Sequence, residues 1–168
     1  VEILIDPFVA GPFWTQADDI ARTAERLNGY VDLAAERGIR LGYHNHSHEF
    51  HHSFDGVSGL EAFVALLDPR VVLEIDVFWA AIGRHDPVAL LERLGDRVRL
   101  LHAKDGIIGA DPHLPGAEGV VLDQRPAGEG DLDLAAILAA QPAPQRGGRG
   151  RQVDAGRAVL ALVAFAVK

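Results

Sequence analysis

At 168 residues the chain has room for one domain with a sizeable core, but not for a complete eight-fold barrel of strands and helices, which takes at least ~200. Hydrophobic residues make up 48% and charged residues 24%, an ordinary globular balance, and a formal charge of −8 without clustered Lys and Arg ahead of the C-terminal stretch argues against a nucleic-acid partner. No run of ~18 apolar residues exists, so no membrane span is expected, and the absence of cysteine excludes disulfides and thiolate chemistry, leaving nitrogen and oxygen donors for any metal.

Val1 to Ile5 is a short apolar run that reads as a strand, with a turn at Asp6-Pro7. The chain opens without an initiating Met or a signal-like leader and contains no Met at all, so it is expected to be a piece of something longer, and nothing suggests export from the cytoplasm. Thr15 and Asp18 make a capping-box-like start. Ile20, Ala24, Leu27, Val31 and Ala34 then recur at helical spacing as far as Gly38, which predicts one helix of about two dozen residues.

Ile39, Leu41 and Tyr43 alternate with Arg40 and Gly42, a strand ending near His44. Ser58 and Glu61 form a capping box ahead of Leu60, Phe63, Val64 and Leu67, closed by Asp68-Pro69. Val71 to Val77 is a third strand, apolar except for Glu74 and Asp76. Asp86-Pro87 opens a helix through Leu90, Leu91 and Leu94 with Gly95 behind it, and Val98 to Ala103 is a fourth strand. Strand and helix thus alternate through four units, which is the pattern of a parallel sheet with crossover helices, either doubly wound or part of a closed barrel. No Gly-x-Gly-x-x-Gly follows the first strand, so a dinucleotide fold has little support.

Residues 106 to 130 are rich in Gly and Pro, too loose for a core element and long for a loop, the mark of a functional or mobile connection. Gly128-Glu129-Gly130-Asp131-Leu132-Asp133 leads into a short helix over Leu134 to Ala140, capped by one of the two Asp. From 141 to 168 there are five basic residues and one acid, against 11 and 23 in residues 1 to 140. This predicts a domain over 1–140 and a basic Pro/Gly/Arg-rich tail over 141–168, read as a reading-frame change or foreign joint, with an evolved basic arm as the alternative.

Tyr43 to His52 packs five of the chain's eight histidines and Glu49 into ten residues at a strand end. In parallel α/β folds that end carries the chemistry. A two-residue period aims His44 and His46 to the same side, while His51 and His52 read as solvated loop residues. Because parallel strands share one rim, His44, His46 and Glu49 from one strand, Asp76 from the next and His102 from the one after should meet there. Carboxylates and imidazoles with open positions describe a site for Mn, Mg, Co or Zn.

Gly38 to His46 with Glu49-Phe50, Leu73-Glu74-Ile75-Asp76-Val77-Phe78-Trp79 with Gly83 and Asp86-Pro87, His102-Ala103-Lys104-Asp105, and Gly128-Glu129-Gly130-Asp131 resemble successive signatures of the sugar phosphate isomerase/epimerase family, the xylose-isomerase-like TIM barrels. The resemblance covers residues 1 to about 140 and implies a partial (β/α) barrel of four to five parallel βα units. It implies a divalent metal bound by two acidic residues, an Asp and a His, with Asp76 and His102 matching the latter two and Glu49 chosen as the first acid. His44 and His46 stand as substrate-facing or alternative ligands. It also implies further βα units ahead of Val1 and a last acidic ligand from a final strand, whereas no Glu follows Glu129 in this chain.

The chemistry implied is proton transfer next to a carbonyl of a small polyhydroxylated substrate, such as a sugar, a sugar phosphate or an inosose, with Glu49 moving the proton. Lys104 would hold a substrate oxygen or phosphate, Trp79 would wall the pocket and Glu129 would line its rim. A partial barrel exposes sheet edges, so a homo-oligomer is expected. The rival readings are a non-catalytic fragment of such an enzyme and a metal-responsive binding module built on the histidine loop.

Overall fold

The computed structural model describes residues 2–141, so the expectations for the tail beyond Gln141 lie outside the described residues. In chain order the strands are β1 (Glu2–Asp6), β2 (Ile39–His44), the two-residue β3 (Ser53–Phe54) and β4 (Val57–Ser58), β5 (Val72–Asp76), β6 (Val98–His102), β7 (Asp105–Ile107) and β8 (Asp123–Arg125). Strands β1, β2, β5 and β6 pair in parallel in that order, while β3–β4 and β7–β8 are small antiparallel ladders. Successive strands of the main sheet are always neighbours. A doubly wound sheet reverses its order at a switch point, so this arrangement is a segment of barrel wall.

Between the strands run α1 (Ala17–Asn28), α2 (Val31–Ala35), α3 (Gly59–Leu66), α4 (Val77–Ile82) and α5 (Pro87–Leu94), with α6 (Leu134–Ala139) after the last ladder. One face of the sheet presents Tyr43, Leu73, Ile75 and Leu101 to Trp14, Ile20, Phe63, Leu90 and Leu91 of the helical layer, all fully buried. Trp14, Tyr43 and Phe63 pack ring against ring at 4.9 to 5.9 Å between centroids, in edge-on or tilted arrangements that aromatic quadrupoles favour. The alternate residues of the same strands face the other way, and the register pairs His44 with Glu74 and Asp76 with His102 on that face. No helix among the described residues is long and apolar enough to cross a membrane.

Two local expectations are corrected. The long first helix is broken at Gly29-Tyr30. Asn28 turns its amide away to donate to the Leu66 carbonyl at 2.9 Å and accept from the Asp68 N–H at 2.7 Å, so the chain there is held against the end of α3 and helix continuation through a poor helix former is lost. Thr15 does not cap α1; its hydroxyl donates back to the Pro12 carbonyl, and Gln16 occupies the cap without a side-chain bond. The Ser58–Glu61 capping box and the Asp86 and Asp133 caps are all present.

Candidate metal centre

The C-terminal ends of β2, β5 and β6 bring His44, Asp76 and His102 together, each offering one ligand atom within 4.8 Å of the others. Asp76 is fully buried. Its Oδ1 accepts the Trp79 N–H at 3.0 Å as the cap of α4, which leaves Oδ2 directed at His102 Nδ1 at 3.1 Å, Lys104 Nζ at 3.2 Å and His44 Nε2 at 3.8 Å. None of these approaches has hydrogen-bond geometry, and Asp76 Oδ2 and His102 Nε2 are buried without a hydrogen-bond partner. Unpaired polar atoms at such depth are costly in a folded protein and are what a bound cation or substrate oxygen would satisfy.

The trio is held by its neighbours. Glu74 Oε1 lies 2.8 Å from His44 Nδ1, fixing the ring so that Nε2 faces the site, a carboxylate–imidazole arrangement typical of metal ligands. This contact, chiefly, holds Glu74 below the usual carboxylate range. Burial pulls His102 down, which favours the neutral ring that can donate a lone pair. Asn45, fully buried, bridges the ends of β2 and β5, accepting the Asp76 N–H at 2.9 Å and donating to the Asp76 carbonyl at 3.2 Å. Its amide continues the ladder by one rung past His44.

Glu49 stands outside the trio. After β2 the chain turns through a single 3-10 turn, His48–Phe50, and the Glu49 carboxylate falls on the Tyr43 side of the strand. Tyr43 O–H donates to Oε1 at 2.6 Å, the His46 N–H donates to Oε2 at 3.0 Å and His48 Nε2 lies 3.5 Å away. Tyr43 and His44 are successive residues on opposite faces, so a carboxylate that serves the first is turned from the second. Burial pushes Glu49 up to about 7, against the pull of those hydrogen bonds. The expected first acidic ligand is therefore not among the grouped donor atoms, and the imidazole of His44 is.

Beside the trio stands a wall of rings. His46, pushed down to about 3 by burial and by the histidines around it, has its ring centroid 5.2 Å from those of His44 and Trp79. Lys104 Nζ lies 5.6 Å from the Trp79 ring centre. The residues that sequence reasoning missed are Asn45, Glu74, Asp111 and His113. His113 stacks on Trp79 at 4.8 Å and 23°, delivered by the long Gly/Pro connection between β7 and β8; the length of that connection was the one signal available for it. His51 is only partly exposed, its Nε2 bound to Asp111 at 2.7 Å, which corrects the expectation of a solvated side chain, while His52 is exposed as expected. Glu129 is exposed and does not meet the trio. Its glycine frame has another duty, since the N–H groups of Gly128, Gly130 and Leu132 converge on the buried carboxylate of Asp105 at 2.9, 3.0 and 3.3 Å.

The family described as xylose isomerase-like TIM barrel matches residues 3–140. The chain belongs to that family. Among curated relatives of this TIM-barrel family, an inosose dehydratase of Geobacillus kaustophilus is 35% identical over 80 residues, 47% of this chain and 25% of the relative. Two crystal structures of sugar phosphate isomerase/epimerases from Parabacteroides distasonis superpose with TM-scores of 0.55 and 0.53 at 29% and 25% identity, covering 70% and 83% of this chain and 43% and 56% of those proteins. A fusion of a xylose isomerase-like TIM barrel with a 4-hydroxyphenylpyruvate dioxygenase shares the fold at a TM-score of 0.58 and 21% identity. The chain spans a quarter of the curated relative and about half of each Parabacteroides protein.

Proposed function

We propose that this chain carries the metal site of a sugar-type isomerase or epimerase, acting by proton transfer next to a carbonyl of a small polyhydroxylated substrate such as a ketose, its phosphate or an inosose. The observation that supports this most is the meeting of His44, Asp76 and His102 at three adjacent strand ends, with Asp76 Oδ2 and His102 Nε2 buried and unpaired. Two imidazoles and one carboxylate suit Mn, Co or Zn better than Mg, which prefers an all-oxygen shell. Three protein donors with open positions are the usual form of a catalytic rather than a structural centre. A divalent cation held by His44, Asp76 and His102 would supply positive charge for a substrate oxygen that becomes anionic on loss of a neighbouring proton.

The remaining roles belong to the chain itself. Glu74 sets the His44 ring, and Asn45 with the Trp79 N–H fixes Asp76. Lys104, on Asp76 at 3.2 Å, is placed to hold a substrate oxygen as a point charge, and His46, backed by Trp79, borders the carbon skeleton. Both oxygens of Glu49 are engaged and the residue is fully buried, so its role in this reading is to hold the histidine loop, and the base that takes the proton is expected from the part of the relatives' barrel that this chain does not span. Calorimetric titration of Mn or Co into the full chain tests the reading. One site, abolished by Asp76→Ala and by His102→Ala, is expected, with interconversion of a ketohexose or consumption of an inosose by the loaded protein. Binding that survives both substitutions refutes the assignment. Binding without turnover favours a metal-binding segment without catalysis, a reading motivated by the coverage of only about half of each solved relative.

A further inference from the structure

The connection between β7 and β8 crosses back over the histidine loop and is fastened there by Asp111. This carboxylate is 5% exposed. Its Oδ1 accepts the Ser47 hydroxyl and the His113 N–H, each at 2.8 Å, and its Oδ2 accepts from His51 Nε2 at 2.7 Å. Burial alone would raise its pKa, but these bonds outweigh burial and hold it below the ordinary value, so it accepts and does not donate. The single Ser47 hydrogen is thereby spent on Asp111. His113 Nδ1 lies 2.8 Å from the same Ser47 oxygen, so the proton in that contact sits on the imidazole.

A second neighbour makes the same demand. His48 Nε2 is 2.6 Å from the Val9 carbonyl, which can only accept, so Nε2 carries the hydrogen. Burial pulls His48 down to about 4, and in the neutral ring Nδ1 is then an acceptor, 3.4 Å from His113 Nδ1. Both contacts fix the same tautomer of His113, with hydrogen on Nδ1 and a lone pair on Nε2. Nε2 has no partner among the described residues, and the side chain is 28% exposed. The ring lies on Trp79 and edge-on to His46 at 5.7 Å, within the wall that borders the metal trio.

We propose that His113 is a substrate-binding residue whose Nε2 accepts a hydrogen bond from a hydroxyl group of the polyol, and that Asp111, Ser47 and His48 are the positioning residues that set its tautomer. This rests on the sugar-type reading above. The part-exposed His46 beside Trp79 takes the C–H surface of such a molecule while the His113 imidazole takes one O–H, so the connection supplies selectivity that the metal trio alone lacks.

Two measurements on the full chain test it. Long-range proton–nitrogen spectra at pH 7, with His113 assigned by its loss in His113→Gln, should show the Nδ1–H tautomer; the Nε2–H tautomer overturns the proposal whatever the substrate. With Mn saturating, calorimetric titration of myo-inositol should give affinity about fivefold or more weaker in His113→Phe, as loss of one hydrogen bond implies. Part of it should return in His113→Gln, whose amide oxygen accepts, and Mn affinity should be equal in all three proteins. Asp111→Asn should weaken the polyol in the same way. Polyol affinity unchanged in His113→Phe overturns this proposal alone. Failure of the Mn-loaded wild type to bind the polyol overturns the sugar-type reading and this one with it.

Discussion

Replacing Glu49 by Gln isolates the energetic cost of the buried carboxylate. Its pKa stands at about 7 in the fold, against about 4.3 for an unperturbed Glu side chain. Below pH ~4 the group is protonated in both folded and unfolded chains and contributes nothing to the pH dependence. Between the two values the folded chain holds a proton that the unfolded chain has lost, so stability falls as pH rises, and the loss is complete once pH passes the folded value. A shift of between two and three units corresponds to roughly 3 kcal/mol. Glutamine does not titrate, so the stability of Glu49→Gln relative to wild type should climb by roughly 3 kcal/mol from pH 4 to pH 7.5. A constant offset of ~1 kcal/mol against the variant is expected, because the Tyr43 O–H and the His46 N–H meet different carboxylate oxygens and the amide nitrogen that replaces one of them cannot accept. Urea denaturation of both proteins at half-unit pH steps, with chelator present, reads the difference. Parallel curves across that window would refute the claim that this carboxylate is held against its desolvation cost.

Asn45→Ala leaves the Asp76 N–H and carbonyl without the partners they have at 2.9 and 3.2 Å. Two buried hydrogen bonds predict a loss of ~2 to 3 kcal/mol in urea denaturation together with weaker Mn binding; a loss under ~0.5 kcal/mol would show that the clamp is dispensable. Gly130→Ala would set a methyl group against the Asp105 carboxylate and the Gly106 nitrogen, so a lower melting temperature is expected, corresponding to ~1 to 3 kcal/mol, and unchanged melting would show that the frame around Asp105 yields.

The main sheet was legible because each strand is a short apolar run bounded by a Pro or Gly turn, and the helices between them carry caps that local sequence specifies, as at Ser58, Asp86 and Asp133. The meeting of Asp76 with His102 follows from the same logic, since strand ends in a parallel sheet share a rim. The break at Gly29 escaped because its cause is Asn28 reaching to Leu66 and Asp68, some 40 residues away. Glu49 was misplaced for a related reason. Distance along the chain puts it near His44, but its direction is set by a one-turn 3-10 helix and by Tyr43, and neither leaves a periodic trace. His113 and Asp111 lie in a stretch without periodicity, where only their contacts across the fold give them meaning.

Asp76 is tethered at three points before any ligand arrives, through Oδ1 to the Trp79 N–H and through its own N–H and carbonyl to Asn45. The bond at Oδ1 removes the rotameric freedom of this carboxylate as the chain folds, so a cation taken up as proposed would meet an oxygen that needs no search. Association should then be fast and nearly indifferent to small changes nearby, and variants that hold the ion differently should differ in how long it stays.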